Sequence, residues 1–259
     1  MTHHMSLPSP PSLSQSLSEL PRSSSEVWNM IWGLQSLVSK AVADAQGGDG
    51  RPVLVLPGYG GSDGAMYFLR SFLDRLGYRT FRLNLGVNYE AREDRIKSVD
   101  DAIRFRESMV SRVQGRVQDL REETGEKVTL IGWSMGGLYA FDVGLALQED
   151  VRMVITLGSP FGDPRSTSLF NALRWLNRSD VPIEGQNFDG WTSKAGAGEN
   201  RVPIKVIYSK QDGIVSPGIA RPPEHPSIEC LEVSSSHIGF AVNLEAYAEI
   251  GKQLSGSIA

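Results

Sequence analysis

The stretch that decides the fold is Lys127-Val-Thr-Leu-Ile-Gly-Trp-Ser-Met-Gly-Gly-Leu-Tyr139. The apolar run from Val128 to Ile131 is long enough for one buried strand, and the apolar residues after Gly136 are typical of a helix. Between them stands a Gly-x-Ser-x-Gly pattern with Ser134 at its centre. This order predicts a strand, a tight turn and a helix, with the serine hydroxyl projecting from the turn. Ser134 is therefore the candidate nucleophile, and the alternative is an ordinary serine that caps a helix.

Size and composition favour a single α/β domain. The chain has 259 residues, of which 40% are apolar and 22% charged, so a normal core can form. The net charge of −4 does not favour nucleic-acid binding. No apolar run approaches the roughly 18 to 20 residues that span a bilayer, which predicts no transmembrane segment. The first residues lack a basic region followed by an apolar one, so we expect a cytoplasmic protein, with export after signal removal as the alternative.

Strand-like and helix-like segments alternate along most of the chain. Apolar runs of strand length begin near residues 52, 79, 128, 152, 203 and 228. A long helix is predicted over residues 93 to 124, because apolar residues recur there at steps of three and four. The single cysteine, Cys230, lies in the last strand, where we interpret it as structural. The alternation predicts a mostly parallel sheet of about six strands flanked by helices.

Three regions of the chain depart from this rhythm. Residues 1–25 are rich in Ser and Pro and are predicted to be a disordered tail. Residues 26–46 are predicted to form an amphipathic helix that docks on the body of the domain. The alternative is that residues 26–45 contact a membrane surface, a partner or another copy of the chain.

Within the domain at 50–259, residues 161–201 exceed a standard crossover and predict a small cap. Its apolar residues are candidates for binding an apolar acyl group: Leu169, Phe170, Leu173 and Trp175. The alternative is an ordinary crossover helix with a long loop.

Three chemically active residues follow predicted strands directly. Ser134 follows the third strand, Asp212 the fifth and His237 the sixth. Because the carboxyl ends of parallel strands meet at one edge of a sheet, we expect these side chains to lie together. A neutral histidine can take the proton of a serine hydroxyl, and a carboxylate can orient the histidine. Taken singly, Asp212 could belong to a plain turn and His237 to a surface loop.

Rival residues for these roles fit the predicted sheet less well. His225 precedes the last strand and is expected at the opposite edge of the sheet. Asp163 and Asp189 do not follow a strand directly, and Asp142 lies within a helix.

A glycine-rich turn follows the first strand, in the stretch Pro57-Gly-Tyr-Gly-Gly-Ser62. Such a turn leaves backbone N–H groups able to point at a negative oxygen. The N–H groups of Tyr59 and Met135 are the candidate oxyanion donors. A phosphate loop is disfavoured, because no Gly-Lys-Ser/Thr follows.

These motifs resemble the α/β-hydrolase superfamily, and within it bacterial serine esterases and lipases. The resemblance covers residues 50 to 257 and rests on Leu56 to Gly60, Gly132 to Gly137, Ser209 to Gly213 and Ser236 to Gly239. It implies Ser134 as nucleophile, His237 as base, Asp212 as orienting acid, and the Tyr59 and Met135 amides as oxyanion donors. Many members have His-Gly where this chain has Pro57-Gly58, which affects its placement within the superfamily.

The expected activity is hydrolysis of a carboxylic ester with an apolar acyl group through an acyl-enzyme, as in lipid metabolism. The substrate would be a small-molecule or lipid ester, with no metal and no organic cofactor. The alternatives are other acyl chemistry on the same residues, as in an acyltransferase, an amidase or a perhydrolase. A non-catalytic binding protein that keeps this fold is a further alternative.

Overall fold

The computed structural model describes residues 9–44, 48, 50–84, 98–168, 170 and 200–256. Six strands form one sheet: β1 (Pro52–Leu56), β2 (Arg79–Arg82), β3 (Val128–Trp133), β4 (Val151–Leu157), β5 (Ile204–Tyr208) and β6 (Ile228–Glu232). Their order across the sheet is β2-β1-β3-β4-β5-β6, and every neighbouring pair is parallel. The predicted six-stranded parallel sheet is therefore confirmed.

Helices cover both faces of the sheet. They are α1 (Leu13–Leu17), α2 (Glu19–Asp44), α3 (Tyr67–Arg75), α4 (Val99–Thr124), α5 (Met135–Ala146) and α6 (Leu244–Gly256). Short 3-10 turns span Asp63–Met66, Pro164–Ser166 and Gly239–Ala241. The long helix predicted over 93–124 begins at Val99 behind a capping box of Ser98 and Asp101, and Gly125 ends it with φ 72°.

Alternate residues of the central strands enter two separate apolar layers. Leu54, Leu130 and Val154 pack with α4 and α5, whereas Val55, Ile131 and Ile155 pack with α3 and α6. This division follows from the strand period of two, which points successive side chains to opposite faces. The central strands are consequently apolar on both faces, as a fully covered parallel sheet requires.

The amino-terminal region differs from its prediction. Residues 13–17 lie in α1 and residues 19–25 in α2, so the expectation of a disordered tail is wrong for them; residues 1–8 lie outside the described residues. Composition misled because this segment docks through polar side chains, while Leu13, Leu17 and Leu20 remain exposed. Residues 26–44 of the helix predicted over 26–46 belong to α2, and residues 45 and 46 lie outside the described residues. Contact of residues 26–45 with a membrane or partner stays a prediction.

The proposed cap at 161–201 is described only at its edges. Residues 169 and 171–199 lie outside the described residues, so the cap stays a prediction. The described entry segment runs against the loop after β5: Thr167 forms an antiparallel bridge with Val215, and Ser168 Oγ donates a hydrogen bond to the Gly213 carbonyl at 3.1 Å. In the part of the chain that the structure describes, no helix has the length and apolar character to cross a membrane.

Candidate active site

Ser134 occupies a sharp turn between β3 and α5. Its backbone has φ 55° and ψ −123°, a conformation that residues other than glycine seldom adopt. The turn is fixed at both ends, since Ser134 N donates to the Leu157 carbonyl at 2.8 Å and Gly137 N donates to the Ser134 carbonyl at 3.0 Å. The strand-turn-helix arrangement predicted from the sequence is present at the predicted residues.

The glycines of the turn are required by close backbone packing. A Cβ on Gly132 would lie 2.3 Å from the carbonyl oxygen of Gly136. A Cβ on Gly136 would lie 2.5 Å from the carbonyl oxygens of Leu56 and Pro57. The turn therefore brings α5 against both β3 and the end of β1, and this contact places Ser134 at the carboxyl edge of the sheet.

The structure brings Ser134, His237 and Asp212 into one chain of hydrogen bonds. Nε2 of His237 lies 3.0 Å from Oγ of Ser134, and Nδ1 lies 2.8 Å from Oδ2 of Asp212. The three residues are almost fully buried, with exposed fractions of 6% for Ser134, 3% for His237 and 1% for Asp212. Geometry of this kind lets an imidazole take a hydroxyl proton through one nitrogen while a carboxylate orients the other.

Both partners of the serine are held by their surroundings. Oδ1 of Asp212 accepts backbone hydrogen bonds from Ile214 at 2.8 Å and Val215 at 2.7 Å, which leaves Oδ2 directed at His237. Trp133 Nε1 donates to the carbonyl of His237 at 2.9 Å. This hydrogen bond holds the loop of His237 against β3, the strand that precedes Ser134.

Opposing effects act on the pKa of His237. Burial, the largest single effect, lowers this pKa, but the charge and hydrogen bond of Asp212, together with the charge of Glu19, more than offset it. The net result is a pKa raised above the ordinary histidine value. The site therefore favours the imidazolium form, which is the species that a proton transfer from Ser134 would create.

The candidate oxyanion donors lie on the two segments that flank Ser134. Met135 is the first residue of α5, where the helix dipole favours negative charge. The turn after β1 packs against the serine, since a Cβ on Gly58 would lie 3.0 Å from Cβ of Ser134. Tyr59 follows directly, and its ring packs edge-on against Phe105. The assignment of both amides as oxyanion donors stays a prediction.

Of the four predicted substrate-binding residues, only Phe170 is described. Its backbone N–H donates to Oγ1 of Thr167 at 3.1 Å, so it stands beside the segment that packs on the loop of Asp212. Leu169, Leu173 and Trp175 lie outside the described residues.

The rival candidates have other partners. Asp142 makes a two-point ion pair with the buried Arg106, at 2.7 and 2.8 Å. His225 Nδ1 lies 2.7 Å from Ser227 Oγ, ahead of β6. Asp163 pairs with Arg165, and Asp189 is outside the described residues. The described residues contain no group of three or more His, Cys, Asp or Glu that could hold a metal ion.

Sequence reasoning missed Glu19 and Glu26, two carboxylates of α2 that reach the loops of Asp212 and His237. The one available signal was the pattern Ser12-x-x-Gln15, which forms a complete capping box at the start of α1. Read as a helix start, it would have predicted helix rather than disorder from that point.

Comparison with known proteins agrees with this architecture. The family pattern described as alpha/beta hydrolase fold matches residues 51–189, more than half of the 259-residue chain. The chain belongs to the α/β-hydrolase fold family. No match to it was found among curated protein sequences.

Solved structures with a similar fold include two lipases. The monoacylglycerol lipase of Paleococcus ferrophilus gives a TM-score of 0.51 at 17% identity, over 80% of this chain and 94% of that one. The Bacillus licheniformis lipase BlEst2 gives 0.50 at 14% identity, over 79% and 92%. The Mycobacterium tuberculosis protein BpoC, assigned as a non-heme bromoperoxidase, gives 0.57 at 18% identity, over 82% and 94%. At these identities the likeness concerns the fold alone.

Proposed function

We propose that the protein is a serine hydrolase that cleaves carboxylic esters through a covalent acyl-enzyme. The observation that carries this proposal is the unbroken chain of hydrogen bonds from Ser134 Oγ through His237 to Asp212. We call these three residues the triad. The strained turn under Ser134 supports the same conclusion, because strain of this kind is often kept where a side chain must be presented for chemistry.

The proposed reaction gives one role to each of these groups. Ser134 Oγ attacks the ester carbonyl carbon while His237 Nε2 takes the hydroxyl proton, and the amides of Met135 and Tyr59 donate to the oxyanion that forms. The tetrahedral intermediate collapses, the C–O bond to the alcohol breaks, and Nε2 returns the proton to the departing alkoxide. Water then repeats the sequence on the acyl-enzyme, releasing a carboxylic acid and free Ser134. Asp212 stabilises the imidazolium that forms in each half of the reaction.

The proposed substrate is an ester with an apolar acyl group. Phe170 and the other apolar residues of the predicted cap support this choice, as does the presence of lipases among the solved structures of similar fold. An activity profile against p-nitrophenyl esters of increasing acyl length would define the size of the acyl site.

The direct test compares wild type with Ser134→Ala on p-nitrophenyl esters. We expect the variant to lose kcat by about 10⁴-fold or more, since removing the nucleophile of a triad removes most of its rate enhancement. Circular dichroism of both proteins controls for folding. Equal turnover by the two proteins would refute the proposal.

A fluorophosphonate probe separates the hydrolase from a non-catalytic protein that keeps this fold. Such a probe should label wild type at Ser134 and leave folded Ser134→Ala unlabelled. Adding amines, alcohols or hydrogen peroxide in competition with water would then distinguish ester hydrolysis from amidase, acyltransferase or perhydrolase chemistry. A folded wild type that resists labelling would favour a binding role.

A further inference from the structure

Helix α2 brings two carboxylates to the loops that carry the acid and the base of the triad. Glu19 and Glu26 stand seven positions apart, which is about two helical turns, so both project from the same face. Asp212 and His237 lie on loops after two different strands, β5 and β6. A helix that touches both loops fixes the position of one relative to the other.

Glu19 joins the two loops directly. Its Oε1 accepts hydrogen bonds from the backbone N–H of Gly213 at 2.6 Å and of His237 at 3.1 Å, and its Oε2 accepts from Ile238 at 3.2 Å. Its side chain is only 5% exposed and pairs with Arg22 at 3.2 Å. Three N–H donors and one guanidinium satisfy a carboxylate that would otherwise be costly to bury. The contacts reach the residue after the acid and the base residue itself.

Glu26 holds the residues just before His237. Its Oε1 accepts from Ser236 N at 3.0 Å, Ser235 Oγ at 3.1 Å and Asn243 Nδ2 at 2.9 Å, while Oε2 accepts from Ser236 Oγ. The fit is close, because a Cβ on Gly239 would overlap the Glu26 carboxylate. Glu19 and Glu26 together therefore hold the loop after β6 both before and after His237.

Other residues of the amino-terminal helices also hydrogen-bond to the loop after β5, which carries Asp212. Ser16 Oγ donates to the Gly213 carbonyl at 2.8 Å, and Arg22 donates to the Gln211 carbonyl. Backbone groups on either side of Asp212 are therefore held by the amino-terminal helices. These helices lie outside the family match, which begins at residue 51.

We propose that Glu19 and Glu26 are positioning residues of the triad, so that the amino-terminal helix is a working part of the active site. This inference rests on the proposed function of the triad. It follows from geometry: two loops from separate strands must hold an acid and a base within hydrogen-bond distance, and Glu19 is a single group bonded to both. Small displacements of a reacting group lower the rate strongly. The bridge that Glu19 forms between the two loops should therefore affect turnover.

Glu19 has an electrostatic role that Glu26 lacks. The charged groups that face the His237 imidazole are Asp212 from the β5 loop and Glu19 from α2, and both raise its pKa against the lowering effect of burial. Arg22 partly balances Glu19, and Glu26 sits against the neighbouring serines. Loss of the Glu19 charge should therefore lower the pKa of His237, whereas loss of the Glu26 charge should move it little.

The test uses the full chain with Glu19→Gln, Glu26→Gln and the control Glu122→Gln. Glu122 is exposed in the last turn of α4, near the amino ends of the strands and so at the edge opposite the triad. Three quantities are measured: kcat/KM for a p-nitrophenyl ester against pH, the rate of fluorophosphonate labelling, and the titration of His237 by NMR.

We expect Glu19→Gln to reduce kcat/KM and the labelling rate by on the order of 10- to 100-fold. The acid limb of its pH profile, which is the low-pH side of the plot of kcat/KM against pH, should move to lower pH. The NMR titration of His237 should move in the same direction. Glu26→Gln should reduce kcat/KM and the labelling rate but leave the acid limb at the wild-type pH. Glu122→Gln should match wild type in all three measurements. A purely structural helix would lower stability without moving the acid limb.

The proposal is overturned if folded Glu19→Gln keeps kcat/KM within about twofold of wild type and His237 titrates at the wild-type pH. Should circular dichroism show that Glu19→Gln does not fold, Glu26→Gln decides, and wild-type rates for that variant overturn the proposal. If wild type hydrolyses no ester, the proposed function fails. The His237 titration still tests the bridge in that case, because it needs no substrate.

Discussion

At the scale of single residues, the backbone of Ser134 is strained, and its side chain does not offset the resulting loss of stability. Its φ of 55° is unfavourable for any residue with a Cβ and typically costs about 1 to 3 kcal/mol. The strain is a cost of presenting the hydroxyl, so replacing the serine exposes it to measurement.

Ser134→Gly is expected to be more stable than Ser134→Ala by about 1 kcal/mol, because glycine relieves the strain and loses only part of that gain to backbone entropy. Urea unfolding of both variants measures the difference. The control is the same pair at exposed Ser108 within α4, where alanine should be the more stable by about 1 kcal/mol. A Ser134→Ala variant more stable than Ser134→Gly would show that the turn is unstrained.

At the scale of elements, the site depends on the approach of α5 to β1 and β3. Gly136→Ala would place a methyl group 2.5 Å from two backbone carbonyl oxygens, which cannot move aside as a side chain can. We expect this substitution to lower the free energy of unfolding by about 2 to 3 kcal/mol, or more if the turn cannot adjust, and to abolish ester hydrolysis.

The matched control for that prediction is Gly115→Ala in α4, where an added Cβ has nothing within 4 Å. This change should raise the free energy of unfolding by about 0.5 to 1 kcal/mol through helix propensity alone. Thermal unfolding of the two variants provides the comparison. A Gly136→Ala variant as stable as wild type would mean that α5 does not pack as described.

The elements that the sequence predicted well are those whose pattern is strong and local. The apolar runs of β1, β3, β4 and β5 are buried on both faces, so they stand out against polar turns. The positions of Ser134, Asp212 and His237 at strand ends then followed from the rule that parallel strands share one edge. The start of α4 was placed less well, because its boundary depends on the cap at Ser98 rather than on the apolar stripe.

The start of α2 and the contacts of its two carboxylates were not predicted, because these contacts are polar and join residues far apart in the sequence. The contacts with the two loops join distant residues, with separations of 218 for Glu19 to His237 and 210 for Glu26 to Ser236. No periodicity within a Ser-rich segment reports such partners. Only the folded chain shows that a carboxylate there meets backbone N–H groups at the carboxyl edge of the sheet.

At the scale of the whole molecule, the raised pKa of His237 links stability to pH. A raised folded-state pKa means that the imidazolium is stabilised by folding. Its contribution to the free energy of unfolding is fully present below the ordinary histidine pKa of about 6.5 and is lost as pH rises through the raised folded value. In the proposed reaction His237 must be neutral to take the proton of Ser134, so ester hydrolysis should rise with pH over the interval in which this stabilisation is lost.

The stability difference between wild type and His237→Gln should accordingly shrink as pH rises through that interval. Urea unfolding at a series of pH values measures it. Repeating the comparison with Asp212→Asn in both proteins should weaken the trend, because Asp212 supplies the largest of the effects that raise this pKa. A difference that grows with pH would mean that the folded-state pKa is lowered instead.

The long reach of Glu19 also bears on how the protein is made. During synthesis Glu19 is built 194 residues before Gly213, so its carboxylate cannot accept the hydrogen bond from the Gly213 amide until the loop after β5 has been translated. The proposed triad can be completed only after β5 and β6 have been translated, because Asp212 and His237 follow these strands. A growing chain that already holds the turn at Ser134 would lack its proposed base, so ester hydrolysis is expected only once His237 has been translated.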